Sequence, residues 1–470
     1  MYKKEKKATM DRRTMMLTEP IHKVIPKMAI PTIVAFLITS IYSLADTYFV
    51  SGLGTNATAA VSVNASLDQL IMMCGSMLAI GANSYIARLL GQGDDAKASR
   101  VLSTSFFLAF GIGLTLTIFG LTFLTPMVRL LGATPTCEQY SIQYATYVLL
   151  AAPFMASSFV MNQCLRSEGS ATLSMIGMGV GGILNCFLDP VFIFGVPVLG
   201  IPAMGVAGAS LATAISKLVS FAILIYPYIS HKSLLRLSLR NFHFCWDIIS
   251  NVVSVGSSSM FRSALAVVAG ILLNDLAGNI SDSVLAGIGV STKIMMFPFS
   301  IILGFGSGFQ PVAGFNWGAK RYDRVRQSYS FASMLSLIGA AVMAGLIAVY
   351  ADQLIVLFSG EDAQMREYGA LCIRLQCLAL PVHAWVAVVN MFCVGLGNST
   401  GAFLLATSRQ GTCFIPILYP FAALWGANGM CAVQAAADVL TLLLAVPMII
   451  YMLKKVRRAE EENRLLERVK

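Results

Sequence analysis

Charge is what this chain of 470 residues lacks: 33 Lys and Arg with 23 Asp and Glu make up only 12% of it, against about 25% in an ordinary soluble domain. With 57% hydrophobic residues and a mean hydropathy of +0.74, a soluble fold is excluded, because it could not hide that much apolar surface. The polar/apolar alternation of an outer-membrane barrel is missing too. No GxxxxGK[ST] loop occurs, so ATP cannot be the direct energy source. The ten cysteines form neither CxxC pairs nor His/Cys groups and fall mostly inside apolar runs, where they read as small buried hydrophobes. No cofactor is expected. The opening MYKKEKKATMDRRTMMLTEPIHK has no apolar h-region and no small-residue cleavage site, so it reads as a retained cytosolic arm. The net charge of +10 does not call for nucleic acid, since the basic residues sit in short clusters between apolar runs, where membrane orientation explains them.

What the chain does have is apolar runs long enough to cross a hydrocarbon core of about 30 Å. Windows punctuated by Gly, Pro and charge predict twelve transmembrane helices: 28–50, 60–87, 101–128, 139–165, 171–194 and 203–230, then 248–273, 283–310, 327–351, 367–394, 400–424 and 427–453. Lys and Arg concentrate on alternate connections: the N-terminal arm, Arg88 with Lys97 and Arg100, Arg166, HKSLLRLSLRNFHF (231–244), AKRYDRVRQ (319–327) and KKVRR (454–458). SGLGTN, VPVLGIP and DLAGNISDS lack both residues, and GEDAQMRE is net acidic. Both termini are therefore expected in the cytoplasm of a multi-pass protein of the cell membrane.

The halves repeat. A shift of 227 residues lays AAVSVNASLDQLIMMCGSMLAIGA (59–82) over AGIGVSTKIMMFPFSIILGFGSGF (286–309), and GVAGASLAT (205–213) resembles GANGMCAVQ (426–434). Six spans per half is an even number, so an all-α polytopic membrane protein with two six-helix lobes is expected, related by a pseudo-two-fold axis along the membrane normal, with a substrate cavity between them. The expected organisation is a cytoplasmic arm (1–27), an N-terminal lobe (28–230), a basic cytoplasmic linker (231–247), a C-terminal lobe (248–453) and a cytoplasmic tail (454–470).

Two carboxylates lie deep in the first half. Asp46 and Asp189 each fall 18 residues past the entry of their span, about 27 Å of helical rise. They should share one depth. An ionised carboxylate at mid-membrane costs roughly 3 kcal/mol, so it must face protein, water or an ion. Asn185, four residues before Asp189, shares its helix face. Pro190 cannot donate to the helical ladder and clashes with the carbonyl of residue 186, so a kink should expose carbonyl oxygens beside the carboxylate. Such oxygens suit a hard cation such as Na+, held by Asp46, Asn185 and Asp189, and a desolvated carboxyl equally suits a proton. The bland alternative is that each aspartate pairs with a buried base, of which Lys217 is the obvious candidate. Asp68 reads as a solvated group near the outer interface. In the second half the deep charges are Arg262, Lys293, Arg409 and Asp438, while His383 reads as a packing residue and Arg374 as a snorkelling one. The 24 methionines read chiefly as filler, with a soft substrate wall as the sharper alternative.

SIYSLADTYFVSGLG, LRSEGS, NCFLDPVFIFG followed by GVAGASLATAISK, and GFQPVAGFNWGAKRYDRV together resemble the multidrug and toxic compound extrusion (MATE) transporters, in order and over nearly the whole chain. The resemblance implies a V-shaped pair of six-helix bundles exporting organic cations in exchange for inward sodium or protons. It implies cation or proton sites at Asp46 and Asp189, with Asn185, Asn162 and Thr213 assisting, and a kink at Pro31. One branch of the family places carboxylates in spans 7 and 8, where this chain has Arg262 and Lys293, so the coupling site is expected in the first lobe. The expectation is a secondary antiporter of small organic cations, a monomer in membrane lipid that needs neither ATP nor nucleic acid and is not an enzyme. The alternative is a lipid-linked saccharide flippase of the same superfamily, toward which Arg262, Lys293 and Arg409 point weakly. A channel would need a polar pore lining that is absent.

Overall fold

The computed structural model describes residues 12–196, 200–230, 232–359 and 362–469. Parts of the arm and of the VPVLGIP and GEDAQMRE connections, together with His231 and Lys470, lie outside them. The described chain is almost wholly helical: α1 Ile21–Ser51, α2 Thr55–Gln92, α3 Asp95–Thr122, α4 Leu124–Leu130, α5 Glu138–Ser167, α6 Ala171–Phe194, α7 Val206–Ile229, α8 Trp246–Ile280, α9 Asp282–Gly318, α10 Tyr322–Val349, α11 Ala351–Ser359, α12 Ala363–Gly395, α13 Ser399–Thr407 and α14 Phe414–Val469. Among the described residues, eleven helical segments are long and apolar enough to cross a membrane. The last of these, Ser399–Leu466, runs 68 residues, about 100 Å if straight and thus three times a bilayer core. Gly426 breaks it with φ 54 and ψ −129, so it supplies two spans and the expected twelve are present. Large apolar side chains such as Ile118, Phe119, Phe187 and Leu443 are more than half exposed. That outward apolar surface is what lipid would cover.

The internal repeat is written into the backbone. Gly205, which opens α7, has φ 57 and ψ −128, nearly the same angles as Gly426. That region is open essentially to glycine alone, which explains why the short GVAG and GANG motifs persist where most side chains have diverged. Hydrogen bonds repeat as well. Asn162 Nδ2 donates to the Ser174 carbonyl (3.2 Å) and Asn390 Nδ2 to the Ala402 carbonyl (3.0 Å), each twelve residues on. Asn64 Nδ2 donates to the Ser141 carbonyl, and the matching Ser291 Oγ donates to the Gly369 carbonyl.

The chain divides into two compact units, Met1–Met15 with Val34–Gly256, and Met16–Ile33 with Ser257–Lys470. This division differs from lobes cut at 28, 230 and 248, because each unit takes in the opening stretch of the other repeat's first long helix. Within the second unit, a Cβ on Gly308 of α9 would stand 2.5 Å from the Ala29 Cα of α1. Within the first, a Cβ on Gly81 of α2 would stand 1.9 Å from the Val252 carbonyl oxygen of α8. Both contacts need glycine, and the two positions are 227 residues apart, as in the sequence repeat. Pro31 lies inside α1, two residues before the helix passes from one unit to the other. Its missing N–H leaves a carbonyl of the preceding turn without a helical donor.

The linker after α7 is pinned to the first unit. Backbone N–H groups of Arg236, Ser238 and His243 donate to the hydroxyls of Ser99, Ser103 and Thr104 on α3. The buried Glu168 carboxylate accepts from Ser233 Oγ (2.6 Å) and the Leu234 N–H (2.8 Å). Burial pushes the Glu168 carboxyl up to about 7, although these two donors and Arg12 pull it the other way.

Candidate functional site

Helices α1, α2, α5, α6 and α7 of the first unit surround the acidic residues. Asp189, fully buried on α6, accepts from Asn185 Nδ2 at 3.0 Å through one carboxylate oxygen, and the same amide reaches Thr213 Oγ1 on α7 at 3.3 Å. Asp189, Asn185 and Thr213 are thus one connected group. Asp46 is not hydrogen-bonded to them, but it is near enough for its charge to act on Asp189. The other Asp189 oxygen, Oδ2, together with Asn185 Oδ1 and Asp46 Oδ1, is buried without a hydrogen-bond partner. Orphaned acceptors of this kind normally cost about 1–3 kcal/mol each, more when charged.

No ion pair forms between either aspartate and a base among the described residues. Lys217 donates instead to the Tyr42 hydroxyl at 2.8 Å and stands 4.9 Å from the centre of that ring. Asp68 departs from its reading as a solvated group: its Oδ1 is sealed from solvent without a hydrogen-bond partner, and the charges that act on it are Lys217 and Asp46. Tyr144 of α5, only 3% exposed, lies within reach of the charges of Asp46, Asp68 and Asp189, a convergence the sequence did not reveal. No three His, Cys, Asp or Glu side chains among the described residues are close enough to hold one metal ion together. An ion here would draw on one or two carboxylates plus amide and hydroxyl oxygens, which are hard donors suited to Na+ or a proton.

Beside this group is a cavity of about 140 Å³, with Phe36, Met72, Met155 and Phe159 among its apolar walls and Asn185, Thr213 and Lys217 along one side. Asn162 also borders it; its oxygen accepts from Arg166 Nη2 at 2.6 Å, and its amide makes the repeat-conserved link to Ser174. The geometry of Asn162 is thus that of a brace between α5 and α6. Arg166 is a further correction: the sequence places it among the loop charges, whereas the structure leaves it 1% exposed at the cavity wall. Pro190 sits within α6 directly after Asp189.

The second unit has the opposite arrangement. Asp438 of α14 is held by Arg409 Nε at 2.6 Å, with His383 Nδ1 at 3.9 Å. Arg409 lies in a π-helical turn, Ser408–Thr412, and stacks 4.6 Å from the Phe299 ring, against which His383 packs edge-on. Its one deep carboxylate is therefore already occupied by a fixed cation. Arg374, read as snorkelling, ends on Asp352 at 2.6 Å.

Comparison with known proteins identifies the family of the chain. The MatE family profile matches residues 31–191 and 258–419, one match for each repeat and together well over half of the chain. The chain is 26% identical to the multidrug export protein MepA of Staphylococcus aureus, covering 95% of this chain and 97% of that protein. It is 27% identical to the MepA of Staphylococcus saprophyticus, covering 93% and 95%. Among solved structures, a MATE in complex with MaL6 superposes with a TM-score of 0.89 at 24% identity, covering 95% of this chain and 99% of that one. The outward-facing conformation of a multidrug resistance MATE family transporter superposes with a TM-score of 0.87 at 24% identity, covering 94% and 98%. The chain belongs to the MatE family, whose members are membrane transporters and not enzymes.

Proposed function

We propose that this chain is a secondary active multidrug exporter of the cell membrane, both termini cytoplasmic, that expels small organic cations in exchange for Na+ or H+ bound in the first unit. The observation that carries the reading is the set of buried, unpartnered oxygens on Asp46, Asp189 and Asn185 beside a cavity, with no basic side chain paired to either aspartate among the described residues. A carboxylate kept in apolar surroundings without a fixed cation is one that exchanges a mobile one. Asn185 and Thr213 hold Asp189 in place, and Asn162 braces α5 against α6 so that the cavity wall stays in register.

Exchange follows from competition between states. Ion binding neutralises the first-unit carboxylates and favours one conformation, cargo binding favours another, and each ligand shifts the equilibrium only by its differential affinity. Among the described residues the deep carboxylate of the second unit, Asp438, is already paired with Arg409, which favours coupling in the first unit. Pro31, at the point where α1 passes between units, is where that helix most easily bends. The flippase reading stays second: the cavity bears Arg166 and Lys217, but a bare carboxylate group beside it would repel a pyrophosphate.

The test is Asp189→Asn. Membrane insertion is expected to persist while gradient-driven dye efflux from cells is lost, and normal efflux in that variant would reject the assignment.

A further inference from the structure

The linker between α7 and α8 carries an outward surface that a water-facing connection would not keep. From Lys232 to Trp246 it reads KSLLRLSLRNFHFCW, with one lysine, two arginines and no acid. Leu239, Phe244 and Trp246 are 74%, 75% and 78% exposed, and Phe242 packs edge-on against Phe107 of α3. Lys232, Arg236 and Arg240 are exposed as well. Lys232 is engaged with the Tyr226 hydroxyl at 3.3 Å, whereas neither Arg236 nor Arg240 has an ion pair among the described residues. The acids at the same end of α3 are already taken: Asp247 by Lys97 at 2.9 Å, Asp95 by Arg13, and Asp94 by the Lys97 N–H. Large apolar side chains gathered on the outside of a short basic segment mark a contact surface.

The depth of that surface follows from what pins it. Besides accepting from the linker backbone, Ser103 Oγ donates to the Arg236 carbonyl (3.3 Å) and Thr104 Oγ1 to the His243 carbonyl (3.2 Å). The 28 residues of α3, Asp95–Thr122, make about 42 Å of helix, so a centred crossing leaves about 6 Å beyond each side of a core of about 30 Å. Ser99 and Thr104 stand about 6 and 14 Å along α3 from its first residue, Asp95. The linker is thereby fixed at the edge of the hydrocarbon. There Trp and Phe are favoured, and arginine heads reach outward to the phosphates.

We propose that residues 236–246 form an interfacial anchor for anionic phospholipid, in which Leu239, Phe244 and Trp246 enter the acyl boundary while Arg236 and Arg240 bind headgroup phosphates. A guanidinium meets phosphate oxygens through two parallel N–H donors. Two features favour lipid over a soluble partner. Trp246 is the first residue of α8, so the patch runs without a break into a membrane-crossing helix. Basic residues directly beside a span, with no acid among them, complement an anionic leaflet. In the orientation proposed above, that leaflet is the cytoplasmic one.

Cys245 is the one exposed thiol of the ten, so the native chain offers a reporter position between Phe244 and Trp246. The experiment places a bimane fluorophore on Cys245 of the full-length protein in symmetric phosphatidylcholine bilayers. Quenching is then titrated with spin-labelled phosphatidylglycerol or spin-labelled phosphatidylcholine, the nitroxide at the same shallow acyl position in both. Both lipids are expected to quench, aqueous acrylamide to quench little, and phosphatidylglycerol to associate at least about fivefold more strongly, the effect of one engaged cation. High salt should shrink that ratio. Arg236→Gln with Arg240→Gln should bring it to about one while lipid quenching persists; the fold is spared because the linker backbone, not these side chains, bonds to α3. Equal association of the two lipids with the wild-type chain, or a preference that survives loss of both arginines, would overturn the headgroup assignment. A fluorophore open to acrylamide and untouched by either lipid would overturn the anchor itself and leave the surface to a soluble partner. Symmetric bilayers make the result independent of orientation, and no transport is measured, so failure of the exporter reading would leave this one standing.

Discussion

Removing Asp438 should destabilise the second unit far more than removing its entire ion pair. Its side chain is 5% exposed and that of Arg409 16%, so Asp438→Ala strands a guanidinium that is already short of a partner at Nη2. Breaking a buried pair from one side costs about 3–5 kcal/mol. Stacking of Arg409 on Phe299 is present before and after the change and drops out of the difference, leaving a loss of about 3–5 kcal/mol. For a unit of this size each kcal/mol lowers the melting midpoint by about 2–4 °C, so a fall of roughly 10 °C is expected. The assay is thermal loss of monodisperse protein in detergent, run as a double-mutant cycle with Arg409→Met, Asp438→Leu and the double variant. Replacing both partners by apolar groups is close to neutral when the volume is kept, so the double variant should recover most of the loss. A double variant no more stable than Asp438→Leu would refute the view that the cost is the stranded charge, and would place the role of Asp438 elsewhere.

Glu168 gives a pH prediction of unusual sign. Its folded carboxyl is raised from 4.5 to about 7 by burial, so the native state holds a proton that the unfolded chain has released. Stability should therefore fall as pH rises from about 4.5 to 7 and level off above, by roughly 3 kcal/mol at 1.36 kcal/mol per unit; Glu168→Gln should flatten that slope, and an unchanged slope would contradict it. Gly426→Ala tests backbone strain alone, because a Cβ there meets nothing within 4 Å; a loss of about 1–3 kcal/mol is expected, and an unaffected melting midpoint would show that the kink tolerates a side chain.

The spans were legible because hydrocarbon thickness imposes one length on every crossing, and alternation of charge added direction. The Gly205 and Gly426 repeat was legible too, since only glycine fits that backbone. What escaped the sequence depends on contacts between distant segments. Arg166 directly follows an apolar run and reads as a loop cation, yet the turn at 168–170 folds the next helix back so that Ser174 Oγ accepts from its Nε. Asp68 stands next to polar neighbours in sequence, and only the packing of α1 and α7 around it brings Asp46 and Lys217 within reach. The same holds for α1: nothing in its composition marks where one unit ends and the other begins. Tyr144 gives no signal of its own, being one tyrosine among fifteen until the helices assemble.

The account stands or falls on whether ion occupancy at Asp189 drives export. Purified protein in liposomes, with a sodium gradient and a pH gradient imposed separately, should move a cationic dye against its own gradient with at least one of them, and Asp189→Asn should move none. Uphill dye movement in that variant, or wild-type transport indifferent to both gradients, would contradict it.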